Sequence, residues 1–265
     1  MKEKYLDEPG FKVTIDEMIT TLTGHHHRHK PWHLHPGSAA LLVLDIQNYF
    51  LDPSSHAFTP SAPAIIPNIH KLIGMARKFK MAVIFTRHVN DHANAGRMDK
   101  WWRDLIREDS HEAQINETVR LYDDKTIGRY DGKTVGMASP VRDDSMVERK
   151  PGSTKSPVRD DSVVGRYDEK IIVKHQYDAF YKTDLEEYLR SNDIDQVIIT
   201  GLLANLCCET TARSAFVRGF EVFFPVDATA AYNKEFHLGT FRNLGFGFCP
   251  ILKTSDLIDS LHAPE

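Results

Sequence analysis

From residue 40 onward, continuous apolar runs alternate with stretches that carry a single apolar stripe. "ALLVLD" (40–45) and "MAVIFT" (81–86) are apolar runs of strand length. Between them, "PAIIPNIHKLIGMARKFK" (63–80) sets Ile66, Ile69, Ile73 and Ala76 at helical spacing. The alternation returns in "KIIVK" (170–174), "TDLEEYLRSN" (183–192), "QVIITG" (196–201), a helical stretch over about 206–218, and "EVFFPVD" (221–227). A helix over about 235–243, a short strand "CPILK" (249–253) and a terminal helix "SDLIDSLH" close the pattern. Strands that are apolar at every position need cover on both faces. The pattern therefore predicts an α/β fold with six parallel strands between helical layers. In such sheets ligands bind beyond the carboxyl ends of the strands.

Two segments depart from this rhythm. Residues 1–38 contain "GHHHRHKPWHLHPG", with His25, His26, His27, His29, His33 and His35. They read as an N-terminal His-rich arm that packs on a neighbour or stays mobile, with transition-metal binding as the alternative. Residues 39–265 form one domain, interrupted by a polar insertion at about 109–168. The insertion repeats itself: "SPVRDDS" stands at 139–145 and 156–162, and "GRYD" at 128–131 and 165–168. It is too short for a solenoid. It reads as a long excursion between the second and third strands, a lid or an oligomer contact.

Bulk properties narrow the function. The chain has 265 residues, a formal charge of −4 and a pI near 6.4, which gives no electrostatic footprint for nucleic acid or an anionic membrane. No apolar run approaches the roughly 18 residues that span a bilayer. The opening "MKEKYLDEPGFKV" lacks the apolar core of a secretory signal. The three cysteines are too few for a disulfide framework, so a reduced, cytoplasmic setting is expected.

Three strands end in residues able to reach one crevice. Asp45 closes the first, Lys174 closes "KIIVK", and Cys207 follows "VIITG" near a helix start. Each has an ordinary explanation alone. Together they supply a base, a cation and a nucleophile. With Asn205 as the expected N-cap, Cys207 falls in the first helical turn, where free N–H groups and the helix dipole favour a thiolate. Cys208 is rotated by about 100° onto the stripe of Ala212, Ala215 and Gly219, as a buried spacer would be. Cys249, beginning the last strand, reads as core.

These residues sit in a pattern that resembles the isochorismatase-like hydrolase, or cysteine hydrolase, superfamily. The matching pieces are "LLVLDIQNYF" (41–50), "AVIFTRH" (82–88), "IIVKHQYDAFYKTDL" (171–185) and "VIITGLLANLCCETTARSAFVRGFEVFFPVDATAA" (197–231), in the same order and spacing. The resemblance implies a Rossmann-like three-layer sandwich and an Asp45, Lys174, Cys207 triad. It also implies a non-proline cis peptide at Leu202–Leu203 and an oxyanion hole made by the backbone N–H groups of Leu203 and Cys207. Isochorismatases of that superfamily carry Gly at the position of Cys207. The retained thiol therefore points to hydrolysis of a C–N bond in a small amide, carbamoyl or ureido substrate, through a thioester. Isochorismatase-type ether or ester hydrolysis is the alternative, and a non-enzymatic metal-binding or assembly protein is the second.

Nicotinamidases of the superfamily hold a divalent metal through a D-x-H motif after the second strand. Here His88 and Asn90 occupy those places, so no metal or other cofactor is expected, although His88, Asp91 and His92 leave a variant site open. Gln47, Phe50, Tyr177, Phe180, Trp101 and Trp102 are the expected pocket residues from their positions beside the triad. A small-molecule substrate and a homo-oligomer, dimer or tetramer, are the expected partners, the oligomer by resemblance alone.

Overall fold

The computed structural model describes residues 1–7, 10–22, 32–120 and 169–261. His25 to His29, both "SPVRDDS" copies and both "GRYD" copies lie outside the described residues. The core is a parallel sheet built from β1 (Ala39–Leu44), β2 (Ala82–His88), β3 (Lys170–Lys174), β4 (Gln196–Leu202), β5 (Glu221–Pro225), β6 (Thr229–Ala230) and β7 (Ile251–Leu252). Its order is β3-β2-β1-β4-β5-β7, with β6 paired to β4, so among the described residues seven strands stand where the apolar runs predict six. The extra strand β6 has two residues, too few to leave a periodic signal.

Every position of β1 and β4 is buried. Successive side chains of a strand point to opposite faces, so both faces of the sheet centre are covered, as three layers require. Helix α3 (Ala62–Lys78) packs on β1, β2 and β4, and α7 (Glu209–Val217) packs on β5. Pro63 at the start of α3 costs nothing, because first-turn N–H groups have no helical partner. β3 is an edge strand and leaves Ile171 and Val173 exposed.

β1 and β4 approach closely in a register that pairs Leu44 with Gly201. Gly201 has φ +109°, and a Cβ placed there would lie 2.0 Å from the Leu44 carbonyl oxygen. Only glycine meets both conditions. Beyond this point β1 releases Asp45 and β4 leads to a π-helical turn, Ala204–Cys208.

The N-terminal residues are tied into this body. Helix α1 (Phe11–Leu22) buries Ile15 and Met18, and Leu6 ahead of it is fully buried, all in the main core cluster. Tyr5 Oη lies 2.9 Å from Nδ1 of His237, on α8 (Lys234–Gly247), and accepts the Ala231 N–H. The Glu3 N–H donates to the Tyr232 carbonyl. In the described part of 1–38, therefore, the arm expected from the sequence packs on the chain's own core.

Candidate active site

Asp45, Lys174 and Cys207 arrive at one point from three strand ends. Lys174 Nζ is 2.7 Å from Asp45 Oδ2 and 3.3 Å from Cys207 Sγ. All three side chains are buried. The lysine also donates to the Gln176 carbonyl at 3.0 Å and lies 3.3 Å from His88 Nδ1. Asp45 adopts φ +51°, in the left-handed region that a non-glycine residue enters only when its surroundings hold it there. Thr86 on β2 does this: its hydroxyl donates to Asp45 Oδ1 at 2.6 Å and accepts the Asp45 N–H at 3.0 Å.

Burial opposes ionisation of Asp45, but the Lys174 ammonium and hydrogen bonds from Cys207 and Lys174 outweigh it and hold the carboxyl below its ordinary range. Burial likewise works against the charged lysine, and Asp45 and Cys207 overcome it. Cys207 is different. Burial, then the neighbouring Asp45 charge, push its thiol well up, and Lys174 offsets only part of this. These directions favour a Lys174–Asp45 ion pair beside a protonated thiol. This direction runs against the thiolate that the helix position favours. Its physical reason is that Asp45 already consumes the lysine's charge, and that Cys207 is sealed in a π-turn flanked by Leu203, where an open helical turn capped by Asn205 is expected. The Leu202–Leu203 peptide is cis, as the resemblance implies. Cys208 is fully buried, consistent with a spacer role.

A cavity of about 630 Å³ is lined by chain neighbours of the triad, Gln176 and Tyr177 after Lys174 and Asn205 and Leu206 before Cys207, and by none of the triad side chains themselves. Of the expected pocket residues, Trp101, Trp102 and Tyr177 line it, and the Trp102 indole donates to Tyr177 Oη at 2.6 Å. Gln47, Phe50 and Phe180 do not. Gln47 is fully buried as a clamp: its amide donates to the His88 and Ala113 carbonyls and accepts the His88 N–H, each at 2.9 Å. Phe50 packs edge-on against Tyr49, and Phe180 lies tilted against Phe220. A strand-end polar or aromatic residue fits a wall or a clamp equally well. Asn205, Tyr232 and Phe236 line the cavity and were not singled out for it. Asn205 precedes Cys207 by two residues, and burial raises the Tyr177 and Tyr232 phenols.

The isochorismatase-domain family model matches residues 39–137 and 135–256. Nicotinamidase 3 of Arabidopsis thaliana is 33% identical over 228 residues, covering 84% of this chain and 88% of the relative. The chain belongs to the isochorismatase family of hydrolases. The isochorismatase of Bacillus subtilis (strain 168) is 28% identical over 87% of this chain and 60% of its own length. A cysteine hydrolase from Pseudomonas syringae pv. phaseolicola superposes with a TM-score of 0.68 at 23% identity, over 88% of this chain and 98% of that one, and so shares the fold.

The metal that the resemblance attaches to nicotinamidases does not fit this isochorismatase-family site. Asn90 Oδ1 accepts the Ile106 N–H, and the Asn90 amide nitrogen lies 3.1 Å from His88 Nε2, so the two residues at the motif positions occupy each other. Asp45, His88 and Cys207 do bring ligand-type atoms within 4.8 Å of one another. The Lys174 ammonium is already within 3.3 Å of all three and repels a second cation. Nor are His88, Asp91 and His92 assembled: Asp91 caps the N–H groups of Ala93 and Asn94, and His92 pairs with Asp99 at the surface. Among the described residues no helix is long and apolar enough to cross a membrane.

Proposed function

We propose that the protein hydrolyses the C–N bond of a small amide, carbamoyl or ureido compound, with Cys207 as nucleophile, Asp45 as proton carrier and Lys174 as fixed counter-ion. The observation that carries this reading is the convergence of Lys174 Nζ, 2.7 Å from Asp45 Oδ2 and 3.3 Å from Cys207 Sγ, in a buried site where the carboxyl is held low and the thiol high. As sulfur attacks the carbonyl carbon, the thiol proton passes to Asp45. Lys174, previously balanced by Asp45, then balances the developing negative charge. The backbone N–H groups of Leu203 and Cys207 are the proposed donors to the oxyanion. Collapse of the tetrahedral intermediate breaks the C–N bond, and Asp45 returns its proton to the leaving nitrogen. Water then attacks the thioester, with Asp45 taking its proton. The acid product departs and the thiol is restored.

A thiol fits acyl transfer and has no task in hydrolysing an ether, which supports the amide reading. The printed name of the Arabidopsis relative, a nicotinamidase, is in keeping with it. The test is a panel of small amides, carbamoyl compounds and ureides, nicotinamide included, with released ammonia and the mass of Cys207 peptides as readouts. Ammonia release with a transient acyl mass on Cys207, both lost in Cys207→Ala, is expected. Turnover that survives Cys207→Ala points instead to isochorismatase-type ether or ester hydrolysis.

A further inference from the structure

The cavity carries a charge that the proposed reaction does not call for. Arg97 and Lys100 are its charged lining residues among those described, and no Asp or Glu joins them. They stand three positions apart at the short helix Met98–Trp101, a spacing that sets side chains on one side of a helical turn. Both are exposed, and neither has an ion-pair or side-chain hydrogen-bond partner among the described residues. Asp99, between them in sequence, is held by His92 at 2.6 Å. In a chain of net charge −4, two unopposed cations on one cleft wall reverse the sign locally. A cleft lined by one sign of charge concentrates ligands of the other.

The rest of the wall sets the shape. Trp101, Trp102 and Phe236 line the cavity and are 79%, 42% and 49% exposed. Large aromatic side chains left open around a cleft mark a place that receives an apolar body. Trp102 is fixed there, its indole donating to Tyr177 Oη at 2.6 Å. The Gln176 amide is engaged by the Ala95 carbonyl, and the Tyr232 hydroxyl by that of Ala57. Arg97 and Lys100 remain as unengaged cationic donors beside an aromatic wall. A volume of about 630 Å³ suits a small organic molecule. We infer that this cavity binds a flat aromatic carboxylate, with its ring on the aromatic wall and its carboxylate on Arg97 and Lys100. A guanidinium fork matches the two oxygens of a carboxylate, and the ammonium adds a second charge. The inference concerns binding alone and stands whether or not Cys207 acylates.

The test is calorimetry on the full chain with benzoate and with acetophenone, its neutral flat counterpart, which has no C–N bond to cleave. Benzoate is expected to bind about tenfold more tightly. In Arg97→Ala/Lys100→Ala the two ligands should bind alike, with acetophenone changed by less than about twofold, which also shows that the variant is folded. Arg97→Lys/Lys100→Arg keeps both charges and keeps the preference. High salt weakens benzoate and spares acetophenone, because both cations are exposed. Trp102→Ala weakens both ligands, and acetate, which has no ring, binds far more weakly than benzoate. Four results overturn the inference: no benzoate binding, equal affinity for the two ligands in the unaltered protein, a preference that survives the double alanine change, or equal loss of both ligands in that variant. The Cys207 acylation assay reads something else. Ammonia release from neutral amides without benzoate binding removes this site and keeps the reaction. Benzoate binding through Arg97 and Lys100 without acylation does the reverse.

Discussion

Lys174 Nζ lies 2.7 Å from Asp45 Oδ2, and neither side chain exposes any surface to solvent. Such a pair stands only as a pair. Removing one partner strands the other charge in a medium that solvates it poorly. Lys174→Met is expected to destabilise the fold by about 3–5 kcal/mol in chemical denaturation and to abolish turnover. Lys174→Arg should not restore activity, because a flat fork cannot take the place of a point charge touching both Asp45 and Cys207. Wild-type stability in Lys174→Met would show that the ion pair is not closed to water.

The thiol's neutrality has a direct readout. Burial and Asp45 raise it above the ordinary range, so its thiolate fraction near pH 7 is smaller than that of a free cysteine, about 8.5 being usual. Alkylation of Cys207 by iodoacetamide, followed by peptide mass, is expected to keep rising beyond pH 9. A rate already level above pH 6 is the signature of a resting thiolate and contradicts the proton transfer to Asp45.

Acid should unfold the protein through two histidines. Burial brings both His88 and His237 down to about 3 from an ordinary 6.5. Between those values the unfolded chain binds protons that the folded chain refuses, so stability rises with pH and is lost as pH falls through the window. Each histidine contributes a slope of about 1.4 kcal/mol per pH unit near pH 5. Asp45 adds in the same direction at lower pH, since its depressed carboxyl stabilises the fold above the unfolded value and ceases to do so as it is protonated. In His237→Asn the slope measured by denaturation from pH 7 to 4.5 is expected to fall by about one proton.

Gly201→Ala combines two penalties, a left-handed φ and a methyl placed on the Leu44 carbonyl. The expected cost is roughly 4 kcal/mol or more, seen as loss of soluble protein or a large drop in melting temperature. A variant that melts normally would mean that β1 and β4 can separate without harm.

The strands were legible because a sheet covered on both faces needs unbroken apolar runs, and "ALLVLD" and "QVIITG" are such runs. The triad was legible because parallel topology brings strand ends together, which turns Asp45, Lys174 and Cys207 from isolated residues into neighbours. The cavity wall was not. Tyr232 and Phe236 come from the entrance to α8, and nothing local marks them as cavity-lining. Helix α1 carries a helical period as well, Phe11, Ile15, Met18 and Leu22 recurring at spacings of four, three and four beside a histidine run that has none. The ionisation state was beyond the sequence, because it depends on which of two neighbours Lys174 neutralises.

The bond between Tyr5 and His237 spans 232 positions of the chain. Next to it, the Glu3 N–H meets the carbonyl of Tyr232, a residue that shapes the cavity. During synthesis the first residues emerge long before their partners exist, and contacts so distant along the chain form late. The cavity wall at Tyr232 is therefore completed only once residues 3–5 and 231–237 have met.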